Sequence, residues 1–377
     1  MRVLTVNPGS SSLKISVLDG TERIGDLTIG DWDGGTQIGD VNDMAELYGP
    51  VDAVAVRIVH GGERTAPARL DAHTLADLER WVPLAPLHQA RSLGLVRHIL
   101  AALPGVPVVG GFDTAFHAGL PARAATYALP RGWREDYGIR RYGFHGLSLA
   151  HATRETARLL GRPETELGLV CCHLGAGVSV TAVDGGRSAD TSMGFTPLDG
   201  VPMATRPGAL DPGILLHLQR HHGLSSDEID DALNRSSGLA GLSGTGGDIR
   251  DVLRARAAGD PDAALAAEVY LHRLRREIAA AAVSLPRVDA VVLTGGVAEH
   301  HPALRAELFA GAHFGLRVDA ARNAGAGDRL ISPDGVPVAI AVVGCREDLE
   351  LARQAGQALS GDSAGAVGAV GAVGALS

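Results

Sequence analysis

The stretch VNPGSSSLKISVLDG, Val6–Gly20, decides how the rest of this sequence is read. A short apolar strand runs into Asn7-Pro8-Gly9 and three serines. Lys14 follows, then a second, alternating strand that ends in Asp19-Gly20. The pattern returns in CCHLGAGVSVTAVDGG, Cys171–Gly186, where a strand meets a small-residue turn at Gly175 and a second strand ends in Asp184-Gly185. Leu13 to Asp19 spans the same distance as Val178 to Asp184, and only the turn differs, by one residue. Glycine hairpins also recur by coincidence. If the match is a true repeat, the chain holds two related halves, and a cleft between duplicated α/β halves is a natural ligand site.

The pattern outside the hairpins is α/β. Strand-like runs include Ala53–Val59, Val106–Val109, Ala290–Leu293 and Val336–Val343, alternating with helical stretches. The clearest helix is Asp262–Ser284, set between Asp260-Pro261 and Pro286. Further helices are expected at Leu75–Trp81, Ala90–Ala101, Asp211–His222, Ser226–Leu233 and Glu347–Ala358. The end of the chain, Gly361–Ser377, repeats Ala-Val-Gly, offers little to pack and reads as a disordered tail.

Length and composition narrow the function. The 377 residues are 45% hydrophobic, enough for two cored domains. A formal net charge of −9 argues against nucleic acid or an anionic membrane as partner. No uncharged apolar run reaches the roughly 18 residues of a membrane helix. The three cysteines, Cys171, Cys172 and Cys345, lack disulfide and zinc spacing and read as reduced thiols of a cytoplasmic protein.

Several segments carry chemistry. NPGSSSLK lacks P-loop spacing and is followed by a strand, so it offers no helix N-terminus to phosphate. It offers backbone N–H groups, hydroxyls, the Asn7 amide and the Lys14 cation, which suit an oxygen-rich anion as well as they suit an ordinary polar turn. HLGAGVS makes a similar offer without cations. LTGGVAEH, Leu293–His300, follows a strand and precedes a helix expected near Pro302, the setting in which backbone approaches a nucleotide. Arg57 lies within an apolar strand and Arg206 in the loop PMATRPG. Each suits bidentate clamping of carboxylate or phosphate, or an ion pair. Asp113 ends the strand VPVVGGF, where a carboxylate is placed to hold Mg²⁺. His145 sits in YGFHG between aromatic residues and glycine.

Together NPGSSSLK, RIVHGGE, FDTAFH, RRYGFHG, DTSMGFTPLDG and TGGVAEH resemble, in this order, the motifs of the acetate kinase family, and the resemblance runs from Met1 to about Ala358. It implies two duplicated ribonuclease-H-like domains of the actin-like ATPase superfamily, each with a five-stranded sheet, around a nucleotide cleft. Residues 1–118 with about 349–360 would form the N-terminal acyl and phosphoryl side, and 119–348 the nucleotide-binding and dimerisation side. It also implies Mg²⁺- or Mn²⁺-dependent transfer of phosphoryl from ATP to acetate, giving ADP and acetyl phosphate, by a cytoplasmic homodimer. Position by position, Arg57 and Arg206 would bind the carboxylate and the transferring phosphoryl group, and His145 would stabilise that group. Asp113 and Glu347 would organise the metal together with Asn7. Asn7, Ser10, Ser12 and Lys14 would lie at the phosphates, and Val59, Leu87, Phe144 and Pro197 around the acetate methyl. His173, Gly175, Ala176, Gly177, Gly295, Gly296 and Val297 would approach the nucleotide, with Asp248, Ile249 and Arg250 at the adenosine. The chain departs from the family pattern at Gln89, Ala176, Ala204, Ala209, Ala298 and His300. A propionate or other short-chain acyl kinase, pyrophosphate as donor, and a non-catalytic nucleotide-binding scaffold remain alternatives.

Overall fold

The structure is a computed structural model that describes the chain except residues 10–11, 31, 33–38, 87, 312–314 and 362–377. The expectations for Ser10, Leu87 and the tail from 362 onward lie outside the described residues. The chain divides into two compact units, Met1–Ala115 with the chain from Glu347 onward, and Phe116–Arg346. Phe116, His117 and Ala118 therefore pack with the second unit, and Glu347 and Asp348 with the first.

In the first unit six strands run in the order β3-β2-β1-β4-β6-β5, with β1 Arg2–Pro8, β2 Ser12–Asp19, β3 Glu22–Gly30, β4 Ala53–Ile58, β5 Ala68–Arg69 and β6 Val108–Phe112. β1, β4 and β6 are mutually parallel, and the other pairings are antiparallel. The parallel strands are buried on both faces, which is why they read as unbroken apolar runs rather than alternating ones. Leu4, Val6, Val54, Val56, Ile58 and Phe112 form the core with Leu75, Leu78, Leu93, Val96 and Ile99 from the helices Ala72–Glu79 and Gln89–Ala102. The helix Glu347–Leu359 packs on β1, β4 and β6.

The second unit repeats this plan. Its strands β7 Gly168–Leu174, β8 Val178–Asp184, β9 Arg187–Thr191, β10 Ala290–Thr294, β11 Arg329–Leu330 and β12 Ala339–Val342 run in the order β11-β12-β10-β7-β8-β9. β7, β10 and β12 are parallel, as β1, β4 and β6 are in the first unit. The repeat extends to a defect. The β2–β3 register slips between Val17 and Leu18, and the β8–β9 register slips between Ala182 and Val183, each one residue before the strand-ending Asp19 or Asp184. A bulge is a specific backbone feature, so its recurrence at the same position settles the duplication.

Three expectations change. Each sheet has six strands rather than five, because the two-residue strands β5 and β11 add an edge. The helix expected near Pro302 begins earlier, as Gly296–His300 followed by Pro302–Leu308. The helix Gly146–Leu160, unread in the sequence, covers β7 and β10. Its N-terminus carries no side-chain cap, and the residue before it, His145, adopts φ 63°. The long alanine-rich helix is Pro261–Val283, with the Asp260 carboxylate accepting from the N–H groups of Asp262 and Ala263. Among the described residues no helix is long and apolar enough to cross a membrane.

Candidate active site

In the first unit four side chains meet at the carboxyl ends of the parallel strands, where open α/β sheets place their ligands. Asn7 is the penultimate residue of β1 and Arg57 that of β4. Asp113 directly follows β6, anchored by its N–H to the Ile58 carbonyl at 3.1 Å. Glu347 opens the helix Glu347–Leu359. The Arg57 guanidinium donates to both Asp113 oxygens, from Nε at 3.1 and 3.2 Å and from Nη2 at 2.7 Å. Its Nη1 donates to Asn7 Oδ1 at 3.2 Å and to Glu347 Oε2 at 3.4 Å, and Asn7 Nδ2 donates to the same Glu347 oxygen at 2.6 Å. Side-chain exposures of 13% for Arg57, 9% for Glu347 and 1% for Asp113 make this a buried network of two carboxylates and one guanidinium, with one negative charge in excess. Lys14, opposite Asn7 across the β1–β2 ladder, is exposed. The Ser12 carbonyl closes the turn by accepting from the Gly9 N–H at 2.7 Å.

Val59, two residues after Arg57, is buried, and the residue that follows it is braced by a buried amide. Gln89, noted in the sequence only as a departure, is wholly buried. Its amide accepts from the His60 N–H at 3.0 Å and donates to the His60 carbonyl at 2.8 Å. His60 stacks on Trp81 with centroids 4.8 Å apart, and burial pushes its imidazole down to about 4. The role of Gln89 is thus to shape the segment after β4.

In the second unit the chemistry gathers at the turn between β7 and β8. His145 is the only non-glycine residue with positive φ among the described residues. Its Nδ1 lies 3.0 Å from Ser179 Oγ, and its ring stacks on His173 at 4.1 Å. Arg206 is buried, and its Nη1 donates to the Pro197 carbonyl at 2.8 Å. Burial lowers its guanidinium to about 10. The turn itself explains why these groups can meet. A Cβ on Gly177 would sit 2.9 Å from Arg206 Nη2 and 3.0 Å from His145 Nε2, so glycine leaves the space in which both side chains reach the backbone.

The strand registers place Asn7, Arg57 and Asp113 at positions equivalent to His173, Thr294 and Cys345. In one copy of the duplicated scaffold these positions form a charged network; in the other, His173 and Cys345 both reach Ser148 Oγ, and Thr294 Oγ1 is buried with no hydrogen-bond partner among the described residues.

The profile of the acetokinase family matches residues 37–353. The acetate kinase of Streptomyces coelicolor is 43% identical over 390 residues, covering 94% of this chain and 96% of that protein. That of Streptomyces avermitilis is 42% identical with the same coverage. The chain belongs to the acetokinase family. Among solved structures, Porphyromonas gingivalis acetate kinase superposes with a TM-score of 0.85 at 30% identity, covering 95% of this chain and 99% of that one. A propionate kinase from Francisella tularensis superposes with 0.86 at 30% identity, covering 94% and 98%.

The other residues expected around the nucleotide and the methyl group, Val59 and Leu87 aside, lie in the second unit. Asp248 caps the helix Ile249–Ala257, accepting from the Arg250 N–H at 2.8 Å, and the Arg250 side chain pairs back onto its carboxylate and holds it below the usual range. Ile249 is buried. Asp248 also acts electrostatically on His301, which follows Gly296–His300, so GDIRD and GGVAEH are brought into mutual range. Gly295 turns from β10 with φ 89°, and a Cβ there would lie 2.6 Å from the Leu174 carbonyl. Gly296 is exposed and Val297 half-buried. Phe144 is fully buried and Pro197 half-buried. Two departures are neighbours, for the Ala204 N–H donates to the Ala176 carbonyl at 3.1 Å. The β7–β8 turn and the Arg206 loop thus remain joined through backbone.

His117 escaped the sequence reading although it lies inside the quoted FDTAFH motif. It is fully buried, with Nε2 2.9 Å from the Phe144 carbonyl and Nδ1 2.8 Å from Ser188 Oγ. It fixes the peptide that leads into left-handed His145. Burial pushes it down to about 4, so it stays neutral across the working range.

Gly177→Ala tests the turn directly. The added methyl meets Arg206 and His145 at under-contact distance, so kcat is expected to fall by about 10²-fold while the Tm moves little. Steady-state kinetics with a melting curve check this, and full activity would show that the two side chains need not reach the turn.

Proposed function

We propose that the chain is an acetate kinase, transferring the γ-phosphoryl group of ATP to acetate and the reverse. The observation that carries this is the placement of Arg206 and His145 together against Gly177. A nucleotide-binding scaffold has no use for a buried guanidinium and imidazole converging on a backbone turn. Acetate is ionised at neutral pH, so the reaction needs no general base, and catalysis consists of holding two anions in line and neutralising the planar phosphoryl group. In this reading Arg206 and Arg57 supply the charge for acceptor and phosphoryl group, and His145 donates to phosphoryl oxygens. Val59 in the first unit and Phe144 and Pro197 in the second are the apolar candidates for the methyl group, and Asp248, Ile249, Arg250 and the Gly295–Val297 turn take the nucleoside end.

The Asn7, Asp113 and Glu347 donors fit Mg²⁺ or Mn²⁺. All are hard oxygen ligands, the two carboxylates exceed Arg57 by one charge, and a magnesium site of this kind uses one or two carboxylates and keeps several waters. Bound there, the ion would neutralise charge on phosphate oxygens. The reading includes a cytoplasmic homodimer without nucleic-acid or membrane partners. Leu265 and Val283, exposed at 50% and 85% on the helix Pro261–Val283, support docking of a second copy.

Propionate kinase is the second reading, and it is kept in the test because one of the superposing structures, from Francisella tularensis, is a propionate kinase. Hydroxamate trapping of acyl phosphate, with acetate, propionate and butyrate against ATP, GTP and pyrophosphate, is expected to give the strongest signal for acetate with ATP. No acyl hydroxamate from any pairing removes the kinase reading. His145→Ala is expected to lower kcat by about 10²–10³, the usual loss when a donor aimed at developing charge is removed. A folded variant with undiminished kcat would falsify that role.

A further inference from the structure

The two stacked histidines are held by a reciprocal pair of serines. His145 Nδ1 is 3.0 Å from Ser179 Oγ, and Ser179 sits directly opposite His173 on the β7–β8 ladder. His173 Nδ1 is 2.9 Å from Ser148 Oγ, and Ser148 lies one turn after His145 in the helix Gly146–Leu160. His173 is therefore anchored from the helix that His145 precedes, and His145 from the strand paired with that of His173. Both serines are wholly buried. The opposite edges of the rings face one turn, His145 Nε2 at 3.0 Å from the Cβ position of Gly177 and His173 Nε2 at 3.3 Å from that of Gly175.

The serine protons decide what those edges offer. A neutral imidazole donates from one nitrogen and accepts at the other. The Cys345 thiol, 3.4 Å away, donates to Ser148 Oγ, which leaves the Ser148 hydroxyl proton for His173 Nδ1. His173 then carries its own proton on Nε2. Ser179 Oγ faces His145 Nδ1 at 3.0 Å, and donation from that hydroxyl would place the His145 proton on Nε2. Two imidazolium rings stacked at 4.1 Å would repel, so a pair of donors at this turn is best supplied by neutral rings with a fixed tautomer.

We propose that Ser148 and Ser179 are positioning residues that hold His173 and His145 as Nε2–H tautomers, so that two N–H donors face the Gly175–Gly177 turn. The proposal rests on the reading of His145 as a donor to the phosphoryl group. It adds that His173 is a donor of the same kind, and that two residues touching no substrate set the direction of both.

Imidazole ¹⁵N spectra of the wild-type protein test the tautomer without reference to activity, with signals assigned by their loss in His145→Ala and His173→Gln. Both rings are expected to show a protonated Nε2 and an unprotonated, hydrogen-bonded Nδ1. Ser179→Ala and Ser148→Ala are each expected to lower kcat at least about tenfold with KM for acetate and ATP nearly unchanged, and Ser179→Thr, which keeps the hydroxyl, is expected to restore most of it. A protonated Nδ1 on either ring in the wild type overturns the proposal. So do folded alanine variants that both turn over at the wild-type rate. If His145→Ala alone proves fully active, the phosphoryl-donor reading fails, while the spectra still decide whether the serines set the tautomers.

Discussion

Arg206→Met is expected to yield a protein that is more stable than the wild type and nearly inactive. Arg206 is buried, its pKa is lowered to about 10 by burial alone, and among the described residues no carboxylate lies within ion-pair distance of it. A guanidinium held at about 10, well below its ordinary value, carries a penalty on the order of 3 kcal/mol in the folded state. The sign follows from linkage. The folded pKa lies below the unfolded one, so the penalty is fully present below about pH 10 and fades as pH rises from 10 towards the ordinary value of the group. Methionine keeps the length of the chain and removes the charge, so the gain in Tm should be constant from neutral pH to about 9. The same charge is what an incoming anion uses, and kcat/KM for acetate should fall at least about 10²–10³-fold. Thermal melts at several pH values, paired with hydroxamate kinetics, read both effects. A variant less stable than the wild type, or one retaining activity, would show that Arg206 is a structural residue. Stability set aside at a binding site is the common pattern.

What could be read from the sequence follows from where the information is local. The hairpin repeat was visible because a turn and the strands beside it are specified by contiguous residues, and the structure extends it to the bulge before Asp19 and Asp184. β3 and β9 were missed because they are edge strands with polar, partly exposed residues and no clean alternation. The helix Gly146–Leu160 was missed because its start has no capping side chain; the left-handed backbone at His145 begins it instead. That conformation is unfavourable for a residue with a Cβ and is sustained by surroundings distant in sequence, among them the His117 bond to the Phe144 carbonyl. Gln89 read as a departure, yet its two bonds to His60 show a residue chosen for the backbone it braces. The equivalence of Asn7, Arg57 and Asp113 with His173, Thr294 and Cys345 was out of reach for a different reason. It is defined by the register between strands far apart in the chain, from Val3 with Ala53 to Leu169 with Ala290, which no local pattern encodes.

The opposite balance is expected at Arg57. Arg57→Leu removes the guanidinium from a network in which Asp113 is 1% and Glu347 9% exposed at the side chain, leaving two buried carboxylates without the charge that bridges them. Breaking a buried pair from one side costs about 3–5 kcal/mol, because the abandoned charge keeps its desolvation penalty. Leucine also cannot donate to Asn7, whose Oδ1 accepts from Arg57 at 3.2 Å. Arg57→Leu should therefore lose both stability and activity, where Arg206→Met loses activity alone. The two losses are separable by a second substitution. Asp113→Asn added to Arg57→Leu removes one of the stranded charges, so the double variant should recover a large part of the lost stability and none of the activity. Such a result is a coupling between neighbours in one network, and a cycle of the two single variants and the double variant measures it. Additive losses would mean that Arg57 and Asp113 act independently despite their three hydrogen bonds, and the picture of a single charged unit at the ends of β1, β4 and β6 would have to be given up.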